Sequence, residues 1–301
     1  LHSTERLRAA GAARGHDVRV IDYLRCYMNI TALRPTVMYQ GQVLPPLDAI
    51  IPRIGCSHAI YGTAVVRQFE MLGVLPANDS ESILNSHDKL RCLQLLAARG
   101  IELPSTGFAH ARGDLSGLID CVSAGPLVVK LLGGMPGAGA ILAGTRQAAE
   151  SVMEAFGGLD ADSLVQEFIR EAAGSSLRLF VVGKRVVAAM RRRARAGEFR
   201  SNLHRGGHAE KVRPTKAERK AAVSAAQALG LQVAGVDMLQ SDRGPLVMAV
   251  NSSPELEGIQ RATQVDVADK IFAFLERSLE THQQKQREPQ ARQRKLAVAV
   301  T

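Results

Sequence analysis

Two hydrophobic periods take turns along this chain. Leu1 to Gly15 places its apolar residues at helical spacing and stops at a glycine, and Asp17 to Tyr23 then alternates in the manner of a strand. A second strand is predicted over Asp48 to Pro52, a helix from Tyr61 to Leu72 closed by Gly73, and a strand over Val74 to Asn78. One further helix, Ser80 to Arg99, closes at Gly100. Strands alternating with helices imply an α/β lobe whose parallel sheet is covered on both faces. The chain opens on Leu1 instead of Met and enters a helix at once. The strand expected to start such a lobe is missing, so the sequence is expected to be truncated or to lack its true start.

From Ile101 the pattern changes. Pro104 to Phe108 leads through a helix to the strand Leu127 to Leu132, and a glycine-rich stretch, Gly133 to Gly139, follows. The strand Ala140 to Leu142, a helix from Thr145 to Phe156 and the strand Leu164 to Phe168 complete a small second lobe. Beyond it, Leu177 to Val182 and Arg185 to Ala189 are joined at Gly183-Lys184, a two-residue hairpin signal. Arg191 to His208 is a long arginine-rich segment that neither period explains; loops of that length are functional or disordered. A helix from Thr215 to Leu229, the strands Val233 to Gln240 and Pro245 to Asn251 joined by a turn at Ser241 to Gly244, and a helix from Val265 to Glu280 finish the folded part.

Composition narrows the class. Hydrophobic residues make up 46% and charged residues 22%, which is globular material, and no run of about 18 apolar residues occurs. With no apolar signal core at the N-terminus, a cytoplasmic protein without a membrane partner is expected. Cys26, Cys56, Cys92 and Cys121 lack the close pairing of metal sites and disulfide scaffolds, and are read as reduced and mostly buried. The formal charge is +9, of which the segment from His282 to Thr301 carries a net +4. That Gln- and Arg-rich tail has too little apolar content to pack and is expected to be disordered. The moderately basic body suits phosphate-rich or acidic partners without requiring nucleic acid.

Candidate chemistry gathers at strand ends. Lys130 closes an apolar strand just before four glycines within seven residues; glycines let backbone amides approach an anion and the lysine supplies a point charge. Taken alone, this fits a glycine-rich hairpin equally well. Glu167-Phe168, at another strand end near a hinge, offers a carboxylate and an apolar wall to an adenine ring. Asp237 stands inside an apolar strand, where an unpaired carboxylate is costly. Its strand and the next are joined by a short turn, so they pair antiparallel; Asp237 falls opposite 248 to 251, and 249 and 251 share a face. An Asp and an Asn there can hold magnesium, or Asp237 can be a capped buried aspartate.

Taken together and in order, these residues resemble the ATP-grasp superfamily and, within it, the RimK-type ligases that add glutamate to a ribosomal protein. The likeness runs to about Glu280 and includes Arg67 to Gly73, Asp88-Lys89-Leu90, Pro126 to Leu131, Phe199 to Gly207 and Val247 to Pro254. The resemblance implies an ATP-grasp fold: an N-terminal pre-ATP-grasp lobe (1–86), a central subdomain (87–165) and a C-terminal subdomain (166–281), with 282–301 the tail. It also implies that Lys89 and Lys130 hold the ATP phosphates and that Glu167 and Phe168 meet adenine. Arg200, Ser201 and Asn202 would reach the nucleotide and an acyl-phosphate, with Arg200 and Asn202 catalytic, and Asp237 and Asn251 would be metal positions. The cofactors implied are ATP and Mg2+ or Mn2+, two ions in the family. The implied partners are free glutamate and the acidic C-terminus of the sixth small-subunit ribosomal protein; a homo-oligomer is left open. In such chemistry a carboxylate first takes the γ-phosphoryl group and the acyl-phosphate is then attacked by an amine.

This sequence departs from the family pattern twice. Ser176 stands where the family has an aspartate toward the nucleotide, and Ala249 where it has a metal-bridging glutamate. A methyl group cannot ligate magnesium. Two readings follow, an ATP-dependent carboxylate-amine ligase or a catalytically impaired pseudoenzyme that binds nucleotide or a ribosomal partner, with Glu255 and Glu257 at hand to replace the lost ligand.

Overall fold

The structure, a computed structural model, describes residues 2–132, 139–159, 161–201 and 206–298, and their side chains except at 112, 283 and 285–298. The chain begins with helix α1 (His2–Ala13). Strands β1 (Cys26–Asn29), β2 (Thr36–Tyr39) and β3 (Gln42–Val43) then form an antiparallel sheet in chain order. Strand β4 (Ala49–Ile50), helix α2 (Ala59–Met71) and strand β5 (Leu75–Pro76) make a βαβ unit whose two strands pair in parallel. Phe69 and Val65 of α2 pack on Cys26 and Val37, so the small sheets and α2 share one core.

Two expectations for this lobe need correction. Residues 17–22 are not in a strand, because among the described residues no backbone lies alongside to complete a ladder. The helix expected over 80–99 is two, α3 (Ser80–His87) and α4 (Lys89–Ala98). Asp88 leaves helical geometry at ψ 106°, and its carboxylate accepts the Arg91 N–H at 3.0 Å, so an N-cap interrupts the apolar period.

The second lobe comprises strand β6 (Thr106–Phe108), helix α5 (Leu115–Val122), strands β7 (Leu127–Leu131) and β8 (Ala140–Ala143), helix α6 (Arg146–Gly158) and strand β9 (Ser163–Glu167). Its antiparallel sheet has the order β6-β9-β7-β8. Leu127, Val129 and Val165 face the helices through Ile119, Ala149 and Met153. By the two-residue period, Val128, Lys130, Leu164 and Gln166 share the other face.

The third unit is built on strands β10 (Ser175–Val182), β11 (Arg185–Arg193) and β12 (His208–Lys211), helix α7 (Lys216–Ala228), and strands β13 (Val233–Ser241) and β14 (Gly244–Asn251). Helices α8 (Glu257–Thr263) and α9 (Val267–Val298) follow; α8 has no counterpart in the sequence reading. The strand order is β12-β11-β10-β13-β14, all antiparallel. β10 and β11 turn at Gly183, whose φ of 59° suits a glycine, as the hairpin signal predicts. Helix α7, opened by a capping box between Thr215 and Glu218, lays Ala222, Ala225 and Ala226 on Leu177, Leu179 and Met238. The opposite face packs Phe180, Val182 and Val233 on Leu7, Ile259 and Ile271.

The arginine-rich loop is shorter than expected, since β11 extends to Arg193 and β12 starts at His208. The segment expected to be a disordered tail is helical through Val298 as the continuation of α9. Its Gln, Lys, Arg and Ala residues are good helix formers, and low apolar content alone does not decide between helix and coil. Among the described residues no helix is long and apolar enough to cross a membrane.

Asn78, 2% exposed, locks the first lobe onto the third. Its amide donates to Val233 O (2.8 Å) and Ser252 O (3.0 Å), while Oδ1 accepts the N–H groups of Gln232 and Val233, both at 2.9 Å. The start of β13 and the end of β14 are thus pinned, and these are the strands that carry Asp237 and Asn251.

Candidate nucleotide-binding site

Lys130 leans from β7 across the open face of the second-lobe sheet. Its ammonium donates to Gln166 Oε1 at 2.5 Å, and buried Gln166 donates in turn to Thr106 Oγ1 at 2.7 Å, which fixes the lysine's direction. Lys89, in the first turn of α4, donates to Leu131 O at 2.5 Å and so meets the same strand end from the first lobe. Burial, and then the neighbouring Lys89 charge, pull the Lys130 ammonium down to about 8. Lys89 is also lowered by burial. Two ammonium groups held close by backbone and amide oxygens are a receptor for an anion. The glycine-rich stretch 133–138 after Lys130 lies outside the described residues.

Glu167 and Phe168 stand at the hinge where β9 ends. Glu167 Oε1 accepts the Ser105 N–H at 2.7 Å and is bonded by Arg243 from the β13–β14 turn. Phe168 meets Phe199 edge to face, with ring centroids 6.4 Å apart. Beside them opens a cleft of about 500 Å³ lined by Pro126, Glu167, Phe168, Ile169, Arg170 and Arg243. It is large enough for a purine base; Lys130 and Asp237 do not line it.

The third-unit sheet gathers the remaining residues on one face. Cross-strand register sets Arg192 opposite Ser176, Arg178 opposite Asp237, Asp237 opposite Ala249 and Gly235 opposite Asn251. A Cβ at Gly235 would meet Pro254 at 2.7 Å, so only glycine lets the loop after β14 close over this face. Asp237 is buried, and both its oxygens are engaged: Arg178 holds it in a fork, Nε and Nη2 each at 2.7 Å, and Arg192 Nη2 lies at 3.0 Å. Burial by itself would raise this carboxyl; the guanidinium charges of Arg178 and Arg192 outweigh it and hold the group below its usual range. Ser176 Oγ accepts from Arg192 Nε (3.1 Å) and Nη2 (2.9 Å) and shares a bond of 2.6 Å with Ser201 Oγ. Asn251 Oδ1 accepts the Ser253 N–H at 2.8 Å. Ala249 is exposed at the surface of the face.

The arginine-rich loop bridges the two sheets. Arg200 Nη1 donates to Ala140 O at 3.3 Å, and Ala140 is the register partner of Lys130. The next residue, Ser201, reaches Ser176. A sequence of contacts and backbone neighbours therefore runs from Lys89, by way of the Leu131 carbonyl, to the β7–β8 pair that carries Lys130 and Ala140, then through Arg200, Ser201, Ser176 and Arg192 to Asp237. Glu198 clamps Arg200 with two bonds of 2.9 Å. Asn202 lies outside the described residues.

Sequence reasoning missed Gln166, Arg178, Arg192 as a ligand of Asp237, and Glu198. Alternation marked Arg178 as a polar residue in an apolar strand, a signal equal to that of Asp237.

The residues present do not fit a pair of divalent ions. Asp237 is spent on two guanidinium groups, Ala249 offers a methyl, and among the described residues no group of three or more His, Cys, Asp or Glu is placed to hold a metal. Glu255 is exposed and senses Arg53 and Arg178 electrostatically.

Family models match nearly the whole chain: a RimK pre-ATP-grasp domain over residues 1–83 and a RimK-like ATP-grasp domain over 86–275. The chain belongs to the RimK-like ATP-grasp family. It is an enzyme of the ATP-grasp ligase class. A relative in Picosynechococcus sp., named a probable alpha-L-glutamate ligase, is 62% identical over 278 residues, 92% of each chain. One in Hahella chejuensis, named probable alpha-L-glutamate ligase 1, is 60% identical over 277 residues, 92% of this chain and 91% of the relative. Solved structures share the fold at lower identity. The ATP-grasp ligase PsnB, complexed with a phosphomimetic variant of its minimal precursor, Mg and ADP, has a TM-score of 0.69 at 17% identity, over 91% of this chain and 93% of that one. An ATP-grasp RimK domain protein from Sphaerobacter thermophilus has a TM-score of 0.66 at 22% identity, over 90% and 94%.

Proposed function

We propose that this RimK-like enzyme is an ATP-dependent alpha-L-glutamate ligase that extends the acidic C-terminus of a protein, by family resemblance the sixth small-subunit ribosomal protein, in the cytoplasm. The observation that supports this reading is the series of cations from Lys89 and Lys130 to Arg200, Arg192 and Arg178, which spans the second-lobe and third-unit sheets. Such an array suits a triphosphate and carboxylates, not a neutral substrate. The nucleotide would lie between a central subdomain, 87–165, and a C-terminal one, 166–281, behind the N-terminal lobe 1–86. Glu167 and Phe168 would meet the adenine, and Ser176, Ser201 and Asn202 would lie toward the nucleotide.

The chemistry proposed is two displacements. An acceptor carboxylate oxygen attacks the γ-phosphorus, and the bond from that phosphorus to the β-γ bridging oxygen breaks to release ADP. The glutamate amine, having lost its proton, then attacks the acyl carbon, and phosphate departs with the electron pair of the C–O bond. Lys130 and Lys89 would offset charge on the phosphates, and Arg200 would offer an N–H donor to a developing oxyanion. An acidic acceptor is drawn by Arg191, Arg193 and Arg195 around the loop.

The test is ADP release from the full chain with ATP, glutamate and a peptide ending in glutamate, with mass analysis of the peptide. The ligase reading predicts ADP release that depends on both glutamate and peptide, and a peptide gaining glutamyl units. A second reading, an impaired ligase that binds nucleotide without turnover, rests on Ala249. It predicts thermal stabilisation by ATP with ADP release no faster than in the blank.

A further inference from the structure

Around Asp237 the third-unit sheet presents cations where a divalent ion needs anions. A metal approaching Asp237 would have to draw the carboxylate out of the Arg178 fork and away from Arg192, leaving two buried guanidiniums beside a like charge. Nothing across the strand compensates, because the register partner of Asp237 is Ala249, and Asn251 commits Oδ1 to the Ser253 amide. The balance of charge points the same way. Lys89, Lys130, Arg178, Arg192 and Arg200 are set against the carboxylates of Asp237 and Glu198, a surplus of three positive charges. The next pair along, Arg53 and Glu255, attract each other and leave that surplus unchanged. Guanidinium carries five N–H donors in a rigid fork matched to phosphate oxygens, and Arg178 uses only Nε and Nη2 on Asp237.

We propose that this chain takes its nucleotide as the metal-free polyanion, with Arg178, Arg192, Lys89, Lys130 and Arg200 neutralising the phosphates that a protein-held divalent ion would otherwise bridge. The inference rests on the nucleotide reading above and goes beyond it, because it assigns the former metal position to anion recognition. Asp237 is then a positioning residue: it aims Arg178 and Arg192, and Ser176, itself bonded to Ser201, holds Arg192 from the other side. Ser176 does this as a hydroxyl, so the guanidinium keeps its charge uncancelled for the ligand. Free ATP, more highly charged than its magnesium complex, is the better match to a surplus of cations.

The test is calorimetric titration of ATP into the full-length protein, once with EDTA and once with excess MgCl2. Affinity in EDTA no weaker than in magnesium, within about threefold, supports the assignment. Binding more than about threefold weaker in EDTA overturns it. Binding in neither condition overturns both this inference and the nucleotide reading, whereas binding in magnesium alone sinks only the inference. The second measurement uses Ala249→Glu, which adds a carboxylate at an exposed position across from Asp237. It should weaken ATP binding in EDTA by about tenfold or more and make magnesium favourable, through a carboxylate set opposite the phosphates. An unchanged ratio between the two conditions in this variant counts against the assignment.

Discussion

Asn78→Ala removes a side chain whose four hydrogen bonds join three backbone segments. The amide bonds Val233 O and Ser252 O; the carbonyl takes the N–H groups of Gln232 and Val233. Each such bond contributes about 0.5–1.5 kcal/mol net, so losing four puts the deficit at roughly 2–6 kcal/mol. Water entering the space left by the shortened side chain recovers part of this, which sets the expected loss at about 3 kcal/mol. Against a typical stability of about 5–15 kcal/mol this is a large fraction, so the variant should fold but unfold at clearly lower urea. Equilibrium urea unfolding followed by circular dichroism reads the difference in midpoint. Because Asn78 pins β13 and β14 at their ends, ATP affinity should fall with stability even though Asn78 touches no site residue. A stability loss under about 1 kcal/mol would refute the view that this side chain is the lock between the lobes.

Other outcomes follow from the same contacts. Lys130 loses its proton near pH 8 in the free protein, so ATP affinity should be level below that pH and fall above it by up to tenfold per unit. Calorimetry in buffers of different ionisation enthalpy should register proton uptake on binding above pH 8, and Lys130→Arg should flatten the profile. Lys130→Met should lower ATP affinity at least about tenfold in the same titration, since it deletes one of two converging ammonium groups. Thr215→Ala removes the capping box of α7 and should cost about 1 kcal/mol, read as a lower melting temperature with unchanged ATP affinity.

What could be read from the sequence divides along physical lines. Elements with a long period and marked ends were legible: the β10–β11 hairpin by its Gly-Lys turn, α7 from Thr215 onward, and the β13–β14 pair, with Asp237 expected opposite 248 to 251 and found opposite Ala249. The three-stranded sheet over 26–43 was not, because its strands are two to four residues long and leave Tyr27 and Val43 exposed, so no period develops. The break at Asp88 was hidden because α3 and α4 continue one apolar stripe, and only the N-cap chemistry of an aspartate marks the joint. Among site residues, the identity of the charged groups was visible and their partners were not. Asp237 reads as a buried carboxylate in need of a cation, and composition cannot say whether that cation is magnesium or guanidinium. The partner, Arg178, lies 59 positions away and meets it only through the pairing of β10 with β13.

That pairing also explains why the site is poised and not self-satisfied. A buried ion pair is stable when its charges cancel and its donors are used. Here one carboxylate is shared between two arginines, and the burial that lowers the Arg192 pKa is only partly offset by Asp237 because Arg178 opposes it. The second-lobe sheet is similar: burial and then the Lys89 charge depress Lys130, and the oxygens that accept from the two ammonium groups are neutral. Each sheet thus presents positive charge that its own carboxylates do not fully offset, and an anion long enough to touch both would be favoured by both. A triphosphate has that length and charge, while a small ion held on one sheet does not. Ser176 and Ala249 act in the same direction, since each sets a neutral side chain beside the Arg178–Asp237–Arg192 cluster and leaves its positive charge for a ligand.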